Sequence, residues 1–271
     1  MRVPGPTRLF VLLSVIASAL ALAQTPATNP AEAATPPTLY VAAASDLRFA
    51  LEEIARLFEQ QSGARVRLSF GSSGQLAAQI AQGAPFDVFF SADEEFVRTL
   101  ARQGLLVPET VRRYAIGRIA LWVRTASPLD VTMGLGVLLD KRVRFVAVAN
   151  PQHAPYGRAA VEALRASGLY DRLRPRLVLG ENISQALQWI QTGNADVGVV
   201  ALSLAAAPPV REAGRYWLIP DALHRPIHQA AGVAARTSQS RLARAFATFV
   251  IGPDGRPILR RYGFQLPGEA S

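Results

Sequence analysis

The chain contains no cysteine. That removes disulfides as a source of stability, and with them a zinc–thiolate centre, a cysteine nucleophile and a cysteine-borne bacterial lipid anchor. Long apolar runs are scarce as well. The longest candidate, Leu9 to Ala23, falls short of the roughly 20 apolar residues a membrane span needs. Histidine is rare. His224 and His228 have the spacing of two metal ligands, but Pro226 between them argues against one helix face and no third ligand accompanies them. Packing or surface roles suit them better, and no metal cation is expected to be held directly by side chains.

Acidic residues are outnumbered, 20 against 29 basic ones, for a formal charge of +9. The cations are nearly all arginines spread along the chain, with Arg112-Arg113 and Arg260-Arg261 as isolated pairs. Nucleic-acid surfaces concentrate such charge in a stripe interleaved with aromatics. Solvated helix faces explain this pattern instead, so no nucleic-acid partner is expected. A catalytic constellation is missing too. Asp87 and Asp93 flank an apolar segment without a paired base or nucleophile. In Gly71-Ser72-Ser73-Gly74 the second glycine comes one residue too early for a hydrolase elbow. The Gly-Lys-Ser/Thr ending of a phosphate loop is also lacking.

What is present begins with an export signal. Arg2 and Arg8 give a basic start, Leu9 to Ala23 an apolar stretch, and Ala21-Leu22-Ala23 a small-x-small cleavage pattern. Residues 1–23 are expected to be cleaved, which lowers the formal charge by two to about +7. Residues 24–37, rich in Ala, Pro and Thr, offer little to bury and read as a disordered leader. About 235 residues remain, enough for two small domains.

From Thr38 onward, short apolar runs alternate with amphipathic stretches. Strands are expected at Leu39–Ala44, Val66–Phe70 and Phe86–Ser91. Helices are expected at Leu47–Gln61, from Gln75 to Gln82, and after Ser91 to near Gly104. This βαβαβ order implies a parallel sheet with right-handed crossovers. A strand at Ile119–Arg124 follows, and then the pattern restarts. Strands at Val143–Ala149, Arg176–Leu179 and Asp196–Ala201 alternate with helices at Tyr156–Ser167 and Ser184–Gln191. Trp217–Pro220 and Gln229–Ala235 are further strands, and helices at Ser238–Ile251 and Pro257–Tyr262 close the chain. No sequence repeat is visible, yet one architecture is built twice. The expected lobes are residues 38–118 with 229–271, and residues 119–228. Paired α/β units place a ligand in the cleft between them.

Polar residues gather where strands end and helices begin: Ser45-Asp46, Gly71 to Gly74, Pro155-Tyr156-Gly157 and Glu181 to Ser184. Such junctions line the crevice at the carboxyl ends of strands. Each offers unpaired N–H groups and the positive end of a helix dipole. Taken singly, every one of them can be simple helix capping. Four of them facing one cleft would make a receptor for a small anion without any cation.

At these junctions the chain resembles the periplasmic molybdate-binding proteins of ABC importers. The resemblance rests on Val41-Ala-Ala-Ala-Ser-Asp-Leu47, Phe70-Gly-Ser-Ser-Gly74 and Gly83-Ala-Pro-Phe-Asp-Val-Phe-Phe-Ser-Ala-Asp93. Asn150-Pro-Gln-His-Ala-Pro-Tyr-Gly157, Glu181-Asn-Ile-Ser-Gln-Ala-Leu187 and Arg261-Tyr-Gly-Phe264 continue it in family order over about 225 residues. It implies a two-lobed periplasmic binding protein fold, each lobe a mostly parallel sheet flanked by helices, hinged about a ligand cleft. It also implies a monomer without a cofactor or enzymatic activity, carrying molybdate or tungstate to a membrane permease with its ATPase. The contacts it assigns fall on Ser45 and Ser73 through hydroxyl and backbone N–H, on Tyr156, and on Ile183 through its N–H. Asp46 is expected to turn its carboxylate away from the anion, leaving only its N–H as a contact. One family pattern has a tyrosine where Ala201 stands, and the phenol of Tyr156 is expected to replace it. Sulfate or phosphate remain alternative ligands, Asp46 being a possible acceptor for the proton of phosphate. A secreted α/β enzyme is the reading from another class.

Overall fold

The computed structural model describes residues 36–269. The expected signal peptide lies outside them, as does the expected leader apart from Pro36 and Pro37. The described residues form two five-stranded sheets flanked by helices.

The first sheet contains β1 (Thr38–Ala44), β2 (Arg65–Gly71), β3 (Val88–Ser91) and β4 (Arg112–Gly117). The second contains β5 (Ile119–Arg124), β6 (Val146–Ala149), β7 (Leu177–Gly180), β8 (Val197–Ala201) and β9 (Gly214–Leu218). The last strand, β10 (Ile227–Val233), returns to the first sheet. The orders are β2-β1-β3-β10-β4 and β7-β6-β8-β5-β9. In each, three strands run parallel, as the βαβαβ pattern demands, and the fourth pairs antiparallel with the third and fifth. The fourth strand in each sheet is the one entered just after the chain crosses over. The antiparallel pairings therefore come from the crossings. The chain leaves the first sheet between Gly117 and Ile119 and returns between Leu218 and Ile227.

The helices are α1 (Arg48–Ser62), α2 (Ser73–Ala81), α3 (Glu94–Arg102), α4 (Pro155–Ala166), α5 (Tyr170–Leu173) and α6 (Ile183–Thr192). After them come α7 (Leu202–Ala205), α8 (Pro208–Ala213), α9 (Ser240–Ile251) and α10 (Gly255–Arg261). Helix α1 buries Ala50, Leu51, Ile54, Ala55 and Phe58, a stripe with the spacing of one helix face. It ends at Gly63, whose φ of 69° suits a residue without a Cβ. The closing helices pack back on this first unit: Phe58 meets Phe246 edge-on at 5.1 Å and Phe249 at 5.4 Å. Such aromatic pairs contribute about 0.5–1.5 kcal/mol each beyond their buried area.

Strand β4 and the short helices α5, α7 and α8 were not foreseen from periodicity. β4 opens with Arg112 and Arg113, both exposed, and lies at the sheet edge. Charged residues are common on edge strands, where they discourage pairing with other chains, and they mask the apolar pattern.

Candidate functional site

The four polar junctions follow corresponding strands of the two sheets. Ser45 opens a 3₁₀ turn after β1, and Ser73 starts α2 after β2. Tyr156 lies in the first turn of α4 beyond β6, and Ile183 starts α6 beyond β7. The central and edge strands of each parallel trio thus deliver one junction apiece, and all four meet. Ser45, Asp46, Ser73, Tyr156 and Ile183 line a single cavity together with Ala44, Gly71, Ser72, Ala92, Ala154 and Pro155. All five expected residues are buried there. Ala201, at the end of β8, is buried too but does not line the cavity.

The cavity is small as it stands: about 10 Å³ is open to the centre of a water molecule, roughly the room that one water needs. A sugar or peptide does not fit it, and a bound anion requires its walls to move apart. No basic side chain lines it. A trough of about 720 Å³ lies elsewhere, beside the first sheet, bordered by Thr38, Phe86 and Arg236 among others. It opens beside the first residue of β1, away from the strand ends where the helix starts converge.

Local hydrogen bonds set which donors remain free. Ser72, the residue before α2, caps the helix by accepting from the Gln75 N–H at 3.4 Å. Ser73 is thereby released from capping. Its Oγ accepts from the Ala92 N–H at 2.9 Å, which leaves its own proton to donate. Asn182 caps α6 through the N–H groups of Ser184 and Gln185, at 3.0 and 3.1 Å. The Ile183 N–H, ahead of both, has no intrahelical acceptor.

Segments that follow the two sheets are tied directly across the cavity. Ser184 donates from its hydroxyl to the Ser45 carbonyl at 3.0 Å and from its N–H to Ser45 Oγ at 3.4 Å. His153 Nδ1 lies 2.8 Å from Ser72 Oγ, and the His153 carbonyl accepts from the Gly74 N–H at 3.0 Å. Ser203 on α7 donates to the Asp46 carbonyl at 2.8 Å. In a separate cleft that also borders Ala92 and Pro155, Asp93 and Arg158 form a half-buried ion pair.

The side chains of Asp46 and Tyr156 meet each other. The Tyr156 phenol donates to Asp46 Oδ2 at 2.8 Å and accepts from Gln229 Nε2 at 2.8 Å. Its hydroxyl is engaged in this network, so the phenol expected to replace a side chain at Ala201 is not a free donor here. Its backbone N–H remains available at the start of α4. Gln229 also donates to Asp46 Oδ2 at 2.8 Å, and its Oε1 accepts from Tyr114 at 2.5 Å. Gly117, at the crossing from β4 to β5, makes room: a Cβ there would stand 2.2 Å from the Tyr156 hydroxyl. Burial pushes the Asp46 carboxyl up to about 7, against the lowering effect of its hydrogen bonds from Gln229 and Tyr156. Burial, and then the neighbouring Asp46 charge, likewise raise the phenols of Tyr156 and Tyr114 well above the ordinary tyrosine range.

Sequence reasoning missed His153, Ser203, Tyr114 and the role of Gln229. Gln229 carried a signal, being a polar residue inside an apolar strand and wholly buried in the structure. The others act through contacts between distant segments, for which the sequence has no local mark. His224 lies beside its own chain, Nδ1 2.8 Å from the Arg225 carbonyl. Among the described residues no cluster of three or more His, Asp or Glu could hold a metal ion.

Comparison with known proteins agrees with this architecture. The family model described as bacterial extracellular solute-binding protein matches residues 39–265. A molybdate-binding protein of Rhodobacter capsulatus is 39% identical over 213 residues, covering 79% of this chain and 82% of the relative. The solved periplasmic molybdate-binding protein of Azotobacter vinelandii superposes with a TM-score of 0.79 at 36% identity, covering 84% of this chain and 99% of that one. The sulfate-binding protein SubI of Mycobacterium tuberculosis shares the fold, with a TM-score of 0.71 at 15% identity over 86% and 88% of the two chains.

Proposed function

Because the chain belongs to the bacterial extracellular solute-binding protein family, we propose that it binds molybdate in the cavity between its sheets. It then delivers the anion, from the periplasm, to the permease and ATPase of an ABC importer. One observation carries the reading: helix-start donors from both units converge on one small cavity that holds no basic side chain. Ser45 and Ser73 would donate through hydroxyl and N–H, and Tyr156 and Ile183 through N–H. A dianion stripped of water is then held by neutral donors and helix dipoles, as at other helix N-termini. Such a site lets go readily, because no fixed counter-charge has to be separated from the ligand. Tungstate, nearly equal in size and charge, is expected to bind as well.

Selectivity follows from donor spacing. Donors placed for the long metal–oxygen bonds of molybdate leave some groups unpaired around the smaller sulfate, at a cost in a dry cleft. Calorimetric titration should show molybdate bound at least about a hundredfold more tightly than sulfate or phosphate, a gap of about 2.7 kcal/mol. Equal affinities would remove the assignment.

The donors come from both units, so the anion should draw the lobes together. We take these lobes as residues 38–118 with 229–271, and 119–228. Small-angle scattering should give a smaller radius of gyration with saturating molybdate than without it. An unchanged profile would speak against hinged closure.

A further inference from the structure

We propose that Asp46 is protonated when the anion binds, so that closing the lobes over a dianion takes up one proton from solvent onto the Asp46 carboxyl. This rests on the anion reading of the cavity and goes beyond it. The starting point is a buried carboxylate, 1% exposed, among the residues lining a cavity proposed for an anion. Two like charges in a space that excludes water repel strongly, and neutralising the carboxylate relieves this.

The geometry says which oxygen carries the proton. Oδ2 already accepts two hydrogen bonds, from the Tyr156 phenol and from Gln229 Nε2. Oδ1 is buried and has no partner. Oδ1 is therefore the oxygen that takes the proton, and protonation removes the one carboxylate charge among the residues that line the cavity.

Nothing charged around Asp46 offers a substitute for the proton. On its own segment, the Arg48 guanidinium lies over the Phe70 ring, 5.1 Å from its centroid. From α4 comes Tyr156, from β4 Tyr114 and from β10 Gln229, all neutral at physiological pH, while α7 presents the Ser203 hydroxyl to the Asp46 carbonyl. His153 is engaged with Ser72, and His228, beside Gln229, holds Nδ1 buried without a partner. Among the described residues no Lys, Arg or His forms an ion pair with Asp46. Burial has already raised the carboxyl to about 7 with the cavity closed, and a dianion beside it raises it further. A carboxyl whose pKa rises on closure favours the closed state below its open-state value. That advantage is lost as pH climbs through the closed-state value.

The experiment is calorimetric titration of the mature protein with sodium molybdate, repeated in buffers of different ionisation enthalpy. At about pH 7.5 the protein is expected to take up close to one proton per anion, and affinity should fall about tenfold per pH unit from there upward. Asp46→Asn should abolish the proton uptake and flatten the pH profile, whereas His228→Gln should leave both in place. Binding of molybdate by the parent protein with no proton taken up overturns the inference and leaves the molybdate reading standing. Uptake that persists in Asp46→Asn, or vanishes only in His228→Gln, overturns it as well. Absence of molybdate binding at every pH removes both readings together.

Discussion

Ser73→Ala should weaken molybdate binding by about 1.5–3 kcal/mol, roughly ten- to 150-fold, the range for a hydrogen bond to a charged group. The reasoning is one of allocation. Ser72 takes the capping role at α2, so Ser73 is not needed to start the helix. Its Oγ accepts from the Ala92 N–H, which places the hydroxyl at 1% exposure on the cavity wall with its proton unassigned. Removing the oxygen has a second, smaller effect. The Ala92 N–H loses a buried partner, so thermal denaturation without ligand should fall by the equivalent of about 1–3 kcal/mol. Comparing the two losses is informative. A fall in stability with unchanged affinity would assign Ser73 to the β3 loop alone and take it out of the anion site.

Gly74→Ala should cost at least about tenfold in molybdate affinity while leaving the ligand-free fold nearly as stable, about 1.4 kcal/mol or more in binding alone. A Cβ at Gly74 would stand 2.8 Å from the His153 carbonyl and 3.0 Å from its Cβ, both belonging to the other unit. The same residue donates its N–H to that carbonyl. On the hinged reading proposed above, the obstruction exists only when the lobes meet, so an open protein accommodates the methyl and a closed one does not. Gly157→Ala gives the contrast. Its Cβ would fall 2.1 Å from the Ala149 carbonyl, where α4 starts against the end of β6 within one unit. That change should destabilise the fold itself, seen as a lower melting temperature with no ligand present. If Gly74→Ala closed and bound like the parent, the close approach at His153 would not be part of the binding cycle.

Much of this site was legible because its residues announce themselves locally. Ser45, Ser73, Tyr156 and Ile183 stand where an apolar run gives way to a helical one, and that position alone implies free N–H groups. The alternation of β1 to β3 with α1 to α3 was readable for the same reason: each segment carries its own periodicity. Strand β4 was not, since its pairing with β10 comes from a segment more than a hundred residues away. Its two leading arginines also hide the pattern. The Asp46 carboxylate was expected to turn away from the anion for electrostatic reasons, but its partners could not be foreseen: Oδ2 is bound by Tyr156 and Gln229, 110 and 183 residues further along the chain. Tyr156 was singled out correctly as a residue of the junction, yet its hydroxyl serves Asp46. No spacing in the sequence tells a phenol that reaches a ligand from one that reaches a neighbouring carboxylate.

The central claim is that donors from both units form one oxyanion site, and locating the metal tests it most directly. Crystals grown with molybdate and measured for the anomalous scattering of molybdenum would fix the anion's position without assumption about its contacts. The account predicts one strong peak within the cavity, the anion oxygens at hydrogen-bond distance from the Ser45 and Ser73 hydroxyls and from the N–H groups of Tyr156 and Ile183. A peak in the trough beside Thr38 and Arg236, or none between the sheets at saturating molybdate, would contradict it.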